Sequence, residues 1–146
     1  MIVLAVIGTL AYALISTVIA GPPNVPDPLT TSGMHTLAPG ARWVISGEIS
    51  GGDYVVGNFT SVRPLGASIE VAAYNSTEWG RFANGSVGTP AYTIPPAPSA
   101  EIVYSAPYTD TFYFVFTNPY PASSGLNVTV YESTTYESNV GGDGFS

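Results

Sequence analysis

Residues 1–20, MIVLAVIGTLAYALISTVIA, contain no charged residue and no Pro, and Gly21-Pro22-Pro23 follows at once. Twenty residues of helix span about 30 Å, the thickness of a bilayer core. A helix that is apolar on every side must be buried on every side. Pro cannot continue a helix and drives the residue before it toward extended geometry. The run therefore predicts an apolar N-terminal helix that stops at Ala20. Gly21–Pro28 (GPPNVPDP) contains four Pro and reads as a stiff, extended spacer. Leu29–Gly40 reads as irregular linker, so that 21–40 as a whole is a Pro-rich connection.

Three uses of the apolar run compete: a cleaved secretory signal, a permanent single-pass anchor, and a segment that enters the membrane first and later packs in a filament core. Val18-Ile19-Ala20 ahead of Gly21 suits signal peptidase, but such a signal wants a positive n-region, and none precedes the run. The basic flank that orients an anchor is missing too, which is natural if a basic leader has been removed. Gly8, Ala5, Ala11 and Ala13 offer small positions where another helix can approach closely. Thr9, Ser16 and Thr17 are residues a lone lipid-facing anchor does not need.

From Ala41 onward the pattern has period two. Trp43 and Ile45 share a face, as do Ile69, Val71 and Ala73, and as do Phe112, Phe114 and Phe116. In 53–62 the set Tyr54, Val56, Asn58, Thr60, Val62 opposes Val55, Gly57, Phe59, Ser61. Such alternation predicts half-buried strands. Arg63-Pro64-Leu65-Gly66 and Asn84-Gly85 mark turns, and 90–98, with four Pro, reads as a loop or broken edge strand. Thr111–Thr117 and Leu126–Tyr131 are expected to pair as an antiparallel hairpin. No segment after Ala20 shows helical periodicity. About seven short strands with turns every 8–12 residues argue a β-sandwich. The expected class is α+β: a single N-terminal apolar α-helix (1–20) followed by an antiparallel Ig-like β-sandwich head (41–146).

Only 9% of residues are charged, against about 25% in ordinary soluble domains. Yet 45% are hydrophobic, with ten Tyr, six Phe and two Trp, enough for a core. The surface must then be made of Ser, Thr, Asn, Gly and Tyr hydroxyls, as in secreted proteins that carry sugars. Net charge is −7 with three scattered Arg and no Lys, so no basic stripe exists to release counterions from a nucleic acid. The absence of Cys removes disulfides, thiol catalysis and thiolate metal sites. Few thermolabile residues are compatible with a hot habitat.

Four N-x-S/T sequons lie at Asn58, Asn75, Asn84 and Asn127, none with Pro in the middle. In an exported chain they are expected to carry N-linked glycans. Asn127 opposes the core set of its strand, whereas Asn58 shares its face with Tyr54, Val56 and Val62. Nothing points to an enzyme, a cofactor, a metal or a small-molecule substrate. One His and no Cys make a poor ligand set, no G-x-S-x-G elbow exists, and Glu70 and Glu78 lack a hydrolytic spacing.

The uncharged run at the very start, the immediate break and the Ser/Thr/Asn/Tyr-rich head with sequons resemble archaeal type IV pilins. The closing stretch TFYFVFTNPYPASSGLNVTVYES resembles the end of such heads, and Ala5 stands where bacterial pilins carry Glu. The resemblance implies a homopolymeric extracellular filament for adhesion, with N-terminal helices in its core and glycan-covered heads outside. The polymerisation surface would be Ile2, Val3, Leu4, Val6, Ile7, Leu10, Tyr12, Leu14, Ile15, Val18 and Ile19, embedded in the membrane before assembly. Two alternatives are a membrane-anchored β-sandwich binding module and a filament made by donor-strand exchange.

Overall fold

A computed structural model describes residues 29–139. Within these residues eight strands form two four-stranded sheets: β1 (Thr31–Leu37), β2 (Arg42–Ile49), β3 (Tyr54–Arg63), β4 (Ile69–Tyr74), β5 (Tyr92–Ala97), β6 (Ser99–Ser105), β7 (Asp110–Thr117) and β8 (Val128–Glu137). One sheet has the order β1-β8-β3-β6 and the other β2-β7-β4-β5, and every pairing is antiparallel.

Period-two alternation sends one side of each strand into the space between the sheets. Phe112, Phe114 and Phe116 of β7 are fully buried there, with Ile69, Val71 and Ala73 of β4, Val55 and Phe59 of β3, and Val128 and Val130 of β8. The rings meet edge to face, Phe59 against Phe116 and Tyr104 against Phe112 and Phe114, a preferred aromatic geometry.

The expected α+β class does not hold. The described residues are a mostly β sandwich whose α-helix is a short surface element, α1 (Ser76–Ala83). Among the described residues no helix is long and apolar enough to cross a membrane. The class had been set by the helix expected over 1–20, which lies outside the described residues. Within the head, β-branched and aromatic alternation decides the class.

Three local expectations are also corrected. Leu29–Gly40 is not irregular: Thr31–Leu37 is edge strand β1, in register with β8 from Thr31↔Thr134 to Leu37↔Val128. Its alternation was masked by polar inward residues, Thr31, Gly33 and His35, which lie on the side of buried Leu37. Thr111–Thr117 and the strand after Leu126 do not form a hairpin. β7 pairs with β2 and β4, β8 with β1 and β3. The connection between them, with Pro119, Pro121 and a 3-10 turn at Ala122–Ser124, carries the chain from one sheet to the other. Finally, α1 appears where no helix was expected.

Both ends of the described chain lie at one pole. The Tyr136 N–H donates to Thr30 Oγ1 at 3.2 Å, and the Asn139 N–H donates to Asp53 Oδ1 at 2.9 Å. The Tyr136 hydroxyl donates to Asp53 Oδ2 at 2.6 Å and accepts from the Ser50 N–H at 3.0 Å. The opposite pole holds the β1–β2 corner, pinned by backbone bonds between Gly40 and Asn118 and between Asn118 and Ala41, each 3.0 Å.

Candidate functional site

The sequons fall on three parts of the surface. Asn58 is exposed on β3, on the outer face of the first sheet, because Val55, Gly57, Phe59 and Ser61 are the inward set. Tyr54 and Val56, its neighbours in parity, are outward too. Asn127 is exposed immediately before β8, at the pole away from the chain ends. Asn84 is exposed at the C-terminal end of α1.

Asn75 differs from these three, because its amide is already in use. Its Oδ1 accepts from the Glu78 N–H at 2.8 Å, making it the N-cap of α1, and its Nδ2 donates to the Tyr108 hydroxyl at 2.8 Å. A cap satisfies one of the four orphan N–H groups of a helix start. Ser76 adds bonds to Asp110, its hydroxyl at 2.8 Å from Oδ1 and its N–H at 3.2 Å from Oδ2. Burial acts to raise the Asp110 pKa, but the bonds from Ser76 and the Thr111 N–H outweigh it and hold the carboxyl below its ordinary value. The missed signal was Asn75-Ser76-Thr77-Glu78, a capping pattern that also spells a sequon.

α1 lies on the outer face of the second sheet through an aromatic cluster. Trp79 stacks on Tyr113 with centroids 4.7 Å apart, Phe82 stacks on Tyr74 at 4.9 Å, and the Arg42 guanidinium sits 4.7 Å from the Phe82 centroid. Beside it, Arg42, Glu70, Tyr74, Phe82 and Thr117 border a cavity of about 190 Å³. That is below the roughly 300–1,000 Å³ of ordinary ligand pockets.

The chemically unusual place is inside the sandwich. Glu132, on the central strand β8, is fully buried. Its Oε2 accepts from Thr31 Oγ1 at 2.6 Å and from Thr134 Oγ1. Its Oε1 has no hydrogen-bond partner, and neither does buried Nε2 of His35, 3.8 Å away. The His35 ring stacks on Trp43 with centroids 3.5 Å apart. Gly33 is the cross-strand partner of Glu132, and an added Cβ there would meet nothing within 4 Å. Neither Glu132 nor His35 was singled out as a site from sequence. The parity of Val128 and Val130 leads straight to Glu132 and Thr134, one and three residues past the expected strand end at Tyr131.

Among the described residues no group of three or more His, Cys, Asp or Glu could hold a metal ion. The polymerisation residues expected in 2–19 lie outside the described residues. No protein-family model matches the chain, and no curated protein matches it.

Proposed function

We propose that this protein is a structural, non-catalytic subunit of an extracellular filament. In this reading the apolar segment 1–20 partitions into the membrane before assembly and joins copies of the chain afterward. The β-sandwich is the outward head, bearing N-linked glycans and serving adhesion. The supporting observation is the polarity of the head. The chain enters and leaves at one pole, while Asn58, Asn84 and Asn127 are exposed on a sheet face, at the end of α1 and at the far pole. A low-charge surface of hydroxyls and amides fits the same role. Joining copies through a terminal segment is a heterologous contact that does not close, which yields fibres instead of rings. Burying an apolar run of that length supplies a strong driving force.

Negative-stain imaging of surface-sheared material from cells making the full chain tests the reading. Uniform fibres containing this chain, lost on Ile7→Asp while the head stays folded, are the expected result. Single particles confined to the membrane fraction would overturn it.

A further inference from the structure

The outer face of the first sheet collects exposed apolar surface. Among the described residues eight large hydrophobic side chains are exposed, and four of them, Met34, Tyr54, Val103 and Tyr131, point outward from this one sheet. They form two groups. Met34 and Tyr131 are cross-strand partners. Val103 is the partner of Val56, and Tyr54 lies two residues before Val56 on β3. Exposed apolar surface gathered in one region marks a place where something docks.

Asn58 stands between the two groups, on a strand with neighbours on both sides. It is paired with Ser133 on β8 and with Glu101 on β6. Tyr131 and Val103 each lie two residues from those partners, which makes both of them diagonal neighbours of Asn58, with Cβ atoms about 7–8 Å away. Phe59 is buried, so Asn58 and Thr60, the two polar residues of the sequon, both point outward. Among the described residues no hydrogen bond uses the Asn58 side-chain amide, in contrast to that of Asn75.

We propose that the N-glycan on Asn58 lies down on this face, its first sugars stacked on the ring of Tyr131 and covering Met34. The inference rests on Asn58 carrying a glycan in the proposed filament head. The C–H groups of a pyranose make a face of the ring apolar, while its hydroxyls line the edge. A Tyr matches that division, with an apolar body and a polar tip. Covering Tyr131 and Met34 removes apolar surface from water, which is favourable, and the sugar hydroxyls meet those of Ser133 and Thr60 beside the ring. Tyr131 is the better platform than Val103, because it offers a flat ring. The covalent tether makes the contact intramolecular, so its effective concentration is set by the linkage and not by supply of a partner. A protein docking on the same face would have to displace a group bonded to an inner strand.

Met34 reports the contact. The full chain is purified in detergent from cells that glycosylate it, and glycopeptide mass establishes the sugar on Asn58. Dilute hydrogen peroxide then converts Met34 to its sulfoxide, followed by the mass of its peptide. Asn58→Gln should raise that rate about threefold or more, because an exposed thioether oxidises faster than a covered one. Asn84→Gln, which removes a sugar beside the other sheet, should leave the rate unchanged. In a Tyr131→Ala background, where the sugar stays and the ring is lost, Asn58→Gln should change the rate little. That coupling separates a stacked sugar from one that merely sweeps the solvent. Equal Met34 rates in the glycosylated chain and in Asn58→Gln would overturn the proposal. So would an Asn58→Gln effect of undiminished size in Tyr131→Ala. A bare Asn58 in the mature chain would overturn it together with the assignment of a glycan to that residue, and would leave the filament reading standing.

Discussion

The side-chain amide of Asn118 donates to the carbonyl of Leu37 at 2.8 Å, tying the chain just after β7 to the end of β1 in the other sheet. The same nitrogen donates to the Leu126 carbonyl at 2.8 Å, and Oδ1 accepts from the Tyr120 N–H at 2.9 Å. Asn118 is fully buried, so one amide closes the far pole of the sandwich. Asn118→Ala leaves buried carbonyls and an N–H without partners. Each such group costs about 1–3 kcal/mol. Urea unfolding should show a loss of at least that size with an unchanged slope, and a loss near zero would refute the role.

Asp53 makes the acid limb of stability predictable. The Tyr136 hydroxyl first, and the Asn139 N–H second, hold its carboxyl below the ordinary value of 3.8 against the effect of burial. A depressed carboxylate stabilises the fold fully above its unfolded value and loses that contribution as pH falls through the lower folded value. Melting temperature should therefore drop as acid is added below that range, and Asp53→Asn should flatten this drop while lowering stability at neutral pH. Burial first, and the bond to Asp53 second, raise the Tyr136 hydroxyl above 10.0. That contribution is present below 10.0 and is lost as pH rises through the folded value. Tyr136→Phe should flatten both limbs.

Glycopeptide mapping of the native protein should find sugar on Asn58, Asn84 and Asn127 and none on Asn75, whose amide caps α1 and holds Tyr108. Asn75→Ala should cost about 1 kcal/mol by loss of the cap, without changing glycan mass. A fully occupied Asn75 would contradict this assignment.

Gly57 is required by a close approach of β3 to β8. A Cβ there would lie 2.2 Å from the Ser133 carbonyl oxygen and 2.9 Å from the Thr134 Cα. Backbone cannot yield as a flexible side chain does. Gly57→Ala should therefore destabilise by about 1–3 kcal/mol, measured by thermal unfolding, whereas Gly85→Ala, with open space around it, should pay only for its positive φ.

Strand positions were legible wherever one face was apolar. The Phe112, Phe114, Phe116 stripe and the Ile69, Val71, Ala73 set are each the apolar side of an alternating strand, and each is the side the structure buries. Pairing was not legible, since nothing local to Thr111–Thr117 says which sheet the next strand joins. β1 was hidden because its inward residues are Thr31, Gly33 and His35, a polar set that makes sense only opposite Glu132. α1 was hidden because eight residues leave too little periodicity, and its hold on the sheet comes from Tyr74 and Tyr113, which belong to strands. The same competition explains Asn75. One short pattern serves equally as cap and as glycan acceptor, and only the position of Tyr108 separates them.

The shared pole of chain entry and exit has a consequence for how such a head can change over time. Whatever the two ends are attached to, the corners at Pro39, Leu65 and Ser123 belong to the other extremity, joined to the attachment only through the rigid sandwich. Residues there can be exchanged or lengthened without touching the anchorage. The far corners can therefore vary in sequence and length while the pole that holds both ends of the described chain stays the same.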